Sequence, residues 1–463
     1  MKIAGIIAEY NPFHKGHARH IELTRLLSGA DGVICLMSGS FVQRGEPAFM
    51  DKFARARAAL MSGADMVLEL PAVYSLQAAE YFALGGVRIL DSLGSVEILS
   101  FGREGSELPK IREDARARLK RGESYPAAVY AEALPNDLLA AEYIKGIEKT
   151  GARLKPFWVK RDELHDAPGL GSALGIRRAV RAGEDITDAL TAQSAEILRE
   201  QLIKERAPWR EDALFRLVCA RARTLSECEA HKIQGADEGL EYRLKHASEE
   251  ARSLEELINL VKSKRYTRAR ICRFLMCVLL DLPKSLAERA NMGAPEYIRC
   301  LGVRRDKLEL LSLCARNSRA PFYTSGAELK REGGEIFALE RRATDIFELL
   351  LPQPGPGGRR IAVLGDMFGL GPFAPTLHAG VGAYLGKAGI DCLVAVGELA
   401  EHIAQGARNS GVPLVYHCKD KAEAKPVLDQ LVRPGSTILV KASRGMELEE
   451  LTAYLLSITP EAE

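Results

Sequence analysis

Met1-Lys2-Ile3-Ala4-Gly5-Ile6-Ile7-Ala8-Glu9-Tyr10-Asn11-Pro12-Phe13-His14-Lys15-Gly16-His17 is the stretch from which the rest of the chain can be read. Ile3 to Ala8 is a short apolar run rich in β-branched side chains, the pattern of a buried parallel strand. From Gly16 the spacing becomes helical, with Ile21, Leu23, Leu26 and Leu27 on one broad side. Two histidines therefore flank a glycine where a strand hands over to a helix. A helix start presents unpaired N–H groups and a partial positive charge, which suits a phosphate. Gly16 lets a ligand come close to the backbone, and His14 and His17 have ring N–H groups to give to phosphoryl oxygens. The competing reading is that the two rings only cap the helix.

A chain of 463 residues is too long for one ordinary domain, and about three are expected. The composition, 47% hydrophobic and 27% charged, is that of a soluble globular protein. A formal net charge of +2 does not mark a nucleic-acid binder, so any basic surface must be local. No stretch approaches the roughly 18 uncharged apolar residues of a membrane span. The first strand runs straight into the histidine motif, unlike a signal peptide. Nine cysteines, none in a CxxC pair, fit reduced thiols and a cytoplasmic location. There is no internal repeat, and no feature specifies an oligomeric state.

Strand and helix patterns alternate through the first part of the chain. Gly32 to Met37 reads as a second buried strand, ending in Ser38-Gly39-Ser40-Phe41-Val42-Gln43-Arg44-Gly45-Glu46-Pro47. That loop has the polar side chains to line a small-substrate pocket, Ser38, Gly39, Gln43 and Arg44 among them. Asp51 to Ser62 reads as a helix, Asp65 to Pro71 as a strand, Tyr74 to Leu90 as a helix and Val96 to Gly102 as a fourth strand. Leu154 to Lys160 is a further strand ending at Arg161, and Ser172 opens a helix that carries Arg177. Alternation of this kind makes a parallel sheet with right-handed crossovers, whose ligands bind beyond the carboxyl ends of the strands. His14, Ser38-Gly39 and Gly102 all fall at such ends. Ser172 with Arg177 is a candidate phosphate clamp. Asn136 or Asp137 is a candidate helix cap. No cluster of acids speaks for an all-protein metal site.

His14-Lys15-Gly16-His17 resembles the HxGH signature of the nucleotidylyltransferase superfamily. Glu9 to His17, Met37 to Pro47, Glu69-Leu70-Pro71 and Ser100-Phe101-Gly102 together resemble the bacterial tRNA(Met) cytidine acetate ligase family. The likeness continues through Asn136-Asp137, Arg161, His165-Asp166 and the basic run near Arg268, and ends around Leu351. The resemblance implies that ATP activates acetate to acetyl-adenylate with release of pyrophosphate. The acetyl group then passes to the wobble cytidine of elongator tRNA(Met), giving N(4)-acetylcytidine. It implies His14, Lys15 and His17 as the catalytic group. It further implies an ATP site of Ile7, Ala8, Glu9, Tyr10, Asn11, Pro12, Phe13, His14, Gly16, His17, His20, Gly102, Asn136, Arg161, Ser172 and Arg177. Mg²⁺ is expected only as the companion of ATP. One departure stands out: Leu174-Gly175 replaces the small hydroxyl residues that the family carries between Ser172 and Ile176-Arg177.

Ile186 to Leu350 reads as helices with charged faces. Lys262 to Arg273 holds six basic residues and no acid. Beyond it Ile271, Phe274, Leu275, Val278 and Leu279 form a helical apolar stripe. A charge run of this kind is usually a solvated face. With the resemblance, Lys264, Arg265, Arg268, Arg270 and Arg273 become candidates for holding tRNA phosphates.

Pro352-Gln353-Pro354-Gly355-Pro356-Gly357-Gly358 reads as a linker, and a new α/β pattern follows it, with Arg360 to Met367 as a strand and turn and Cys392 to Gly397 and Thr437 to Lys441 as further strands. Val363 to Met367, Ala395 to Ala400 and Val440 to Met446 resemble the C-terminal domain of Mur ligases, although Gly369 stands where that family has a glutamate. No Gly-rich Walker loop occurs in the chain, so the ATPase domain of a Mur ligase is missing. The expected architecture is α/β throughout. A Rossmann-like parallel-sheet nucleotidylyltransferase domain spans 1–185 and a helical tRNA-binding domain 186–351. A linker at 352–359 leads to a Mur-ligase-like α/β domain at 360–463. The alternatives are a small-molecule adenylyltransferase of cofactor synthesis and a nucleotide-binding adaptor without catalysis. A cofactor synthase needs neither the basic helix nor the long helical domain, and an adaptor would bind ATP without releasing pyrophosphate.

Overall fold

In the computed structural model, Ile3–Ala8 forms strand β1 and the helix that follows it, α1, runs Lys15–Ser28. The residues described are 1–105, 114–121, 123, 128–129, 134–160, 172–263, 266–352, 360–432 and 436–457. They fall into two compact units, Met1–Pro352 and Gln353–Glu463. Arg161, His165, Asp166, Lys264 and Arg265 lie outside the described residues.

The first unit is built on a sheet of seven strands. Five are parallel: β1, β2 (Gly32–Ser38), β3 (Met66–Leu70), β4 (Ile98–Arg103) and β5 (Lys155–Lys160). The spatial order is β5-β4-β1-β2-β3, followed by β6 (Ile298–Val303) and β7 (Phe322–Tyr323). β6 runs antiparallel to β3. Both faces of the sheet are covered. Ile7, Ile34, Leu36 and Leu68 pack into one apolar cluster, and Ile6, Val33, Cys35 and Val67 into another. Burial on both sides explains why β1 and β2 read as unbroken apolar runs instead of alternating ones.

The chain leaves β1 toward β2 and β3, then returns to the far side of β1 to lay down β4. Strand order thus reverses between β1 and β4, and a crevice opens beyond their carboxyl ends. Helix α2 (Lys52–Met61) begins where expected, with the Asp51 carboxylate accepting from the N–H groups of Phe53 and Ala54. The predicted helix from Tyr74 is two helices, Ala72–Ser75 and α3 (Ala79–Ser92), parted near Leu76–Ala78. Helix α1 packs through Ile21, Thr24 and Ser28, while Leu26 and Leu27 face outward.

The region from 186 is not purely helical. Ile298–Val303 crosses back to extend the first sheet, so 186–351 shares one unit with 1–185. A six-residue strand hidden among long amphipathic segments leaves too little period-2 signal to be seen.

The second unit has four parallel strands in the order β10-β9-β8-β11: β8 (Arg360–Gly365), β9 (Cys392–Val396), β10 (Leu414–Cys418) and β11 (Thr437–Lys441). Three of these follow the sequence expectation, and Leu414–Cys418 is the one added.

Candidate active site

Beyond β1 and β4 lies a cleft of about 660 Å³. Its wall includes His14, His17, His20, Gln43, Arg44, Gly102, Asn136, Ser172 and Arg177. Residues from five separate segments are thus brought to one place. Ile7, Ala8, Glu9, Tyr10, Asn11 and Gly16 also face it. Its size is that of ordinary small-ligand pockets.

The two histidines do cap the helix. The backbone N–H of Gly16 donates to His14 Nδ1 at 3.1 Å, and that of His14 donates to His17 Nδ1 at 3.3 Å. Capping and ligand binding are complementary here. A neutral imidazole whose Nδ1 accepts must carry its proton on Nε2, and this hydrogen-bond assignment makes Nε2–H a donor. The rings lie 3.8 Å apart, and Tyr10 and Phe13 pack against His17 at 4.9 and 5.5 Å. Tyr10 itself is buried, at a positive φ of 48°, with its hydroxyl donating to Cys35 Sγ. The aromatic collar fixes the imidazoles before any ligand arrives, the form of electrostatic preorganisation that charge-developing reactions exploit.

Several expected site residues do something else. Lys15 is exposed and is not part of the cleft wall. Pro12 and Phe13 are buried behind it. Ser38 and Gly39 are also buried and are not part of the cleft wall, and Gly39 joins a buried polar network. Arg55, fully buried, donates to the carbonyls of Glu9, Met50 and Gly39. Lys52 Nζ meets Glu69 at 2.6 Å, and Arg299 meets the other Glu69 oxygen at 3.1 Å. Glu340, from helix α7 (Gly334–Leu350), accepts from the N–H of Ala72. A Cβ on Gly39 would stand 2.8 Å from Glu340 Oε2 and 3.1 Å from Glu69 Oε1, so only glycine fits. Burial and the nearby Glu69 charge push the Glu340 carboxyl up to about 8, whereas Lys52 and Arg299 hold Glu69 below its ordinary value. The Ser38–Gly39 end of the loop is thus a structural anchor, and Gln43 and Arg44 are the part that reaches the ligand space.

Arg177 gives one Nη to the carbonyl of Asn11 and the other to Glu46, both at 2.7 Å. It therefore ties the histidine loop to the Gln43–Pro47 turn and, in this state, is not poised as an unpaired phosphate clamp. Ser172 caps its helix, α5 (Ala173–Ala182), by accepting from Gly175, and Leu174 joins the cleft wall. Asn136 is the second residue of α4 (Pro135–Thr150), not its cap, and its amide donates to Glu104. Asp137 accepts from the N–H groups of Glu104 and Gly105 and so pins the loop after β4.

The sequence reading missed one end of the cleft. Phe82, Phe101, Leu139 and Tyr143 form an apolar wall there, with the Phe101 and Tyr143 rings 5.7 Å apart. These residues come from α3, β4 and α4, and they read as core until the topology gathers them.

The basic run is largely engaged. Arg268 forms a two-pronged pair with Glu255 at 2.7 and 2.5 Å. Arg270 lies over the Tyr266 ring at 4.9 Å, and Arg273 donates to the carbonyl of Gln43. A Cβ on Gly45, at φ 81°, would fall 2.2 Å from the backbone nitrogen of Arg273. Helix α6 (Arg268–Leu279) therefore braces the substrate loop directly. The acids that neutralise the run come from other segments, so the local sequence could not show them. Among the described residues no three His, Cys, Asp or Glu gather as a metal site, and no helix is long and apolar enough to cross a membrane.

The first unit has the fold and histidine constellation of a HIGH nucleotidyl transferase, and the model of that family matches residues 1–357. A tRNA(Met) cytidine acetate ligase of Syntrophomonas wolfei is 34% identical, over 76% of this chain and 96% of its own length. One from Fervidobacterium nodosum is 35% identical, over 76% and 95%. The crystal structure of Thermotoga maritima TmcAL bound with alpha-thio ATP superposes with a TM-score of 0.71 at 32% identity, covering 76% of this chain and 95% of that one. The chain belongs to the tRNA(Met) cytidine acetate ligase family. Residues 346–444 match the Mur ligase, glutamate ligase domain.

Proposed function

We propose that this chain activates acetate with ATP and transfers the acetyl group to the wobble cytidine of elongator tRNA(Met), forming N(4)-acetylcytidine. The observation that carries the reading is the gathering of His14, His17, Gly102, Asn136 and Ser172 on one cleft at the β1–β4 reversal. Attack of a carboxylate on the α-phosphorus brings anion to anion. The site must align the two in line and stabilise charge on the phosphoryl oxygens and the departing pyrophosphate. The Nε2–H donors of His14 and His17 and the positive end of the α1 dipole supply that stabilisation. Mg²⁺ accompanies ATP as its counter-ion. A cytoplasmic setting, where ATP and tRNA are both at hand, follows from the reaction.

The tRNA is held by the α6 region. Arg268 and Arg270 lie on the surface there, and phosphates compete with Glu255 and Asp237 for them. This assigns 1–185 to activation and 186–351 to RNA binding within a single folded unit. The segment 360–463 is an appended module.

The test is acetate-dependent pyrophosphate release with and without unmodified elongator tRNA(Met), followed by nucleoside analysis of the tRNA. Acetate-dependent release together with acetylcytidine supports the reading. Release that depends on a different acid, or ATP binding without release, overturns it in favour of a cofactor synthase or an adaptor.

A further inference from the structure

Resting on that function, the second half-reaction demands something the first does not. The exocyclic amine of cytidine must lose a proton as it attacks the acetyl carbonyl. The described groups on the cleft wall can be sorted by whether they can take one. His14 and His17 have Nδ1 committed to backbone N–H groups, so their Nε2 atoms already carry protons. His20 shares a hydrogen bond with Ser100 Oγ at 3.1 Å. Arg19, Arg44, Lys160 and Arg177 are cations. Glu104 accepts from Asn136 through Oε1 and makes a further contact besides.

Glu9 remains. It follows β1 directly, and its Oε1 accepts from the N–H of Gln43 at 2.7 Å. Oε2 makes no hydrogen bond among the described residues. The backbone carbonyl of Glu9 is held by the buried Arg55 at 2.7 Å, so the side chain starts from a fixed point.

A second observation points the same way. Tyr143 is 2% exposed and its hydroxyl has no partner among the described residues, although it lines the cleft. Its phenol feels the Glu9 charge, and burial raises it far above its ordinary value, so it stays a donor. Phe82 and Phe101 stand beside it. An apolar, aromatic recess that ends in an unsatisfied donor and a carboxylate suits a flat base stacked on rings and read at its polar edge. Carboxylates accept from the cytosine amine in nucleic-acid recognition generally.

We propose that Glu9 is the proton acceptor for acetyl transfer, with its Oε2 facing the exocyclic amine of a cytosine lodged against Phe82, Phe101 and Tyr143. In that step the N4–carbon bond forms and the carbon–oxygen bond of the mixed anhydride breaks. AMP leaves with the bonding electron pair, and the amine proton passes to Glu9 Oε2, then to water on product release. Burial, the largest influence, lifts the Glu9 carboxyl above its ordinary range, which strengthens it as a base; Arg44 and Arg177 pull it down, and Glu46 pushes it up.

The experiment supplies acetyl-adenylate directly to Glu9→Gln and wild-type protein with unmodified tRNA(Met), alongside acetate-dependent ATP–pyrophosphate exchange. Glutamine keeps the carbonyl that takes the Gln43 N–H. Transfer from supplied acetyl-adenylate is expected to fall by about 100-fold or more, with a loss in exchange that is about tenfold smaller. In wild-type protein the single-turnover transfer rate should rise with pH through one ionisation, displaced upward from the usual carboxylate range, and flatten. Equal losses in both half-reactions, transfer retained by E9Q, or a wild-type rate without that ionisation each overturn the proposal. Wild-type protein that acetylates no tRNA overturns the functional reading and the proposal with it.

Discussion

The parallel strands of the two sheets in this chain end very differently. Beyond β1 and β4 of the first unit, His14, His17 and Glu9 each accept a backbone N–H through one side-chain atom and line the cleft. Beyond β8 of the second unit, the polar groups are spent on one another. Asp366 accepts from the N–H of Ala400 at 2.6 Å, and its carboxylate fills the space a Cβ on Gly397 would need. His378 accepts from Met367 through Nε2 at 2.9 Å, while its Nδ1 meets the carbonyl of Ala374. Ser443 binds the carbonyl of Asp366 through its backbone and the N–H of Phe368 through its hydroxyl. Both sheets offer carboxyl ends of strands. What differs is that the first set of strand ends opens onto a cleft of ligand size, whereas the second is tied together by its own hydrogen bonds.

The largest effect should come from the buried polar network around Gly39. Lys52→Met leaves Glu69 and Glu340 buried with less compensation, and should destabilise the first unit by about 3–5 kcal/mol in denaturant titration. A loss under about 1 kcal/mol would mean that the network is not the closed support described above.

The next test separates capping from catalysis. His17→Asn keeps an acceptor for the His14 N–H but has no Nε2–H, whereas His17→Ala lacks both. Both should lose about 100- to 1,000-fold in acetate-dependent pyrophosphate release. Only the alanine variant should also lose about 1 kcal/mol of stability. Full activity in His17→Asn would reduce the histidine to a cap, like the polar groups of the tail.

In the second unit, Asp366→Ala strands the buried Ala400 N–H and should cost about 1–3 kcal/mol, read from amide exchange across 360–457. Acetate activation should be unaffected. A matching loss of activation would show that the tail's strand ends serve the reaction after all.

The smallest effect concerns pH. Glu340 is raised in the fold, from its ordinary 4.5 to about 8, so its contribution to stability is complete below the unfolded value and fades as pH rises through about 8. Glu340→Gln, a neutral isostere, should flatten that decline between pH values of about 5 and 9. A decline left unchanged by the substitution would assign it to other groups.

Much of this could be read from the chain alone. Ile3–Ala8 followed by His14-Lys15-Gly16-His17 specified a buried strand and a helix start, because burial on both faces and the 3.6-residue period are local properties. The linker at Pro352–Gly358 and three of the tail's four strands were legible for the same reason. Tertiary structure decided the rest. It inserted Ile298–Val303 into the first sheet, turned Arg177 and Arg273 into braces, matched Arg268 with Glu255, and set Gly39 against buried charges. It also gathered Phe82, Phe101 and Tyr143 beside Glu9. Each of these depends on a partner contributed by a distant segment, and a sequence pattern records a residue's own chemistry without recording which atoms its neighbours leave unused.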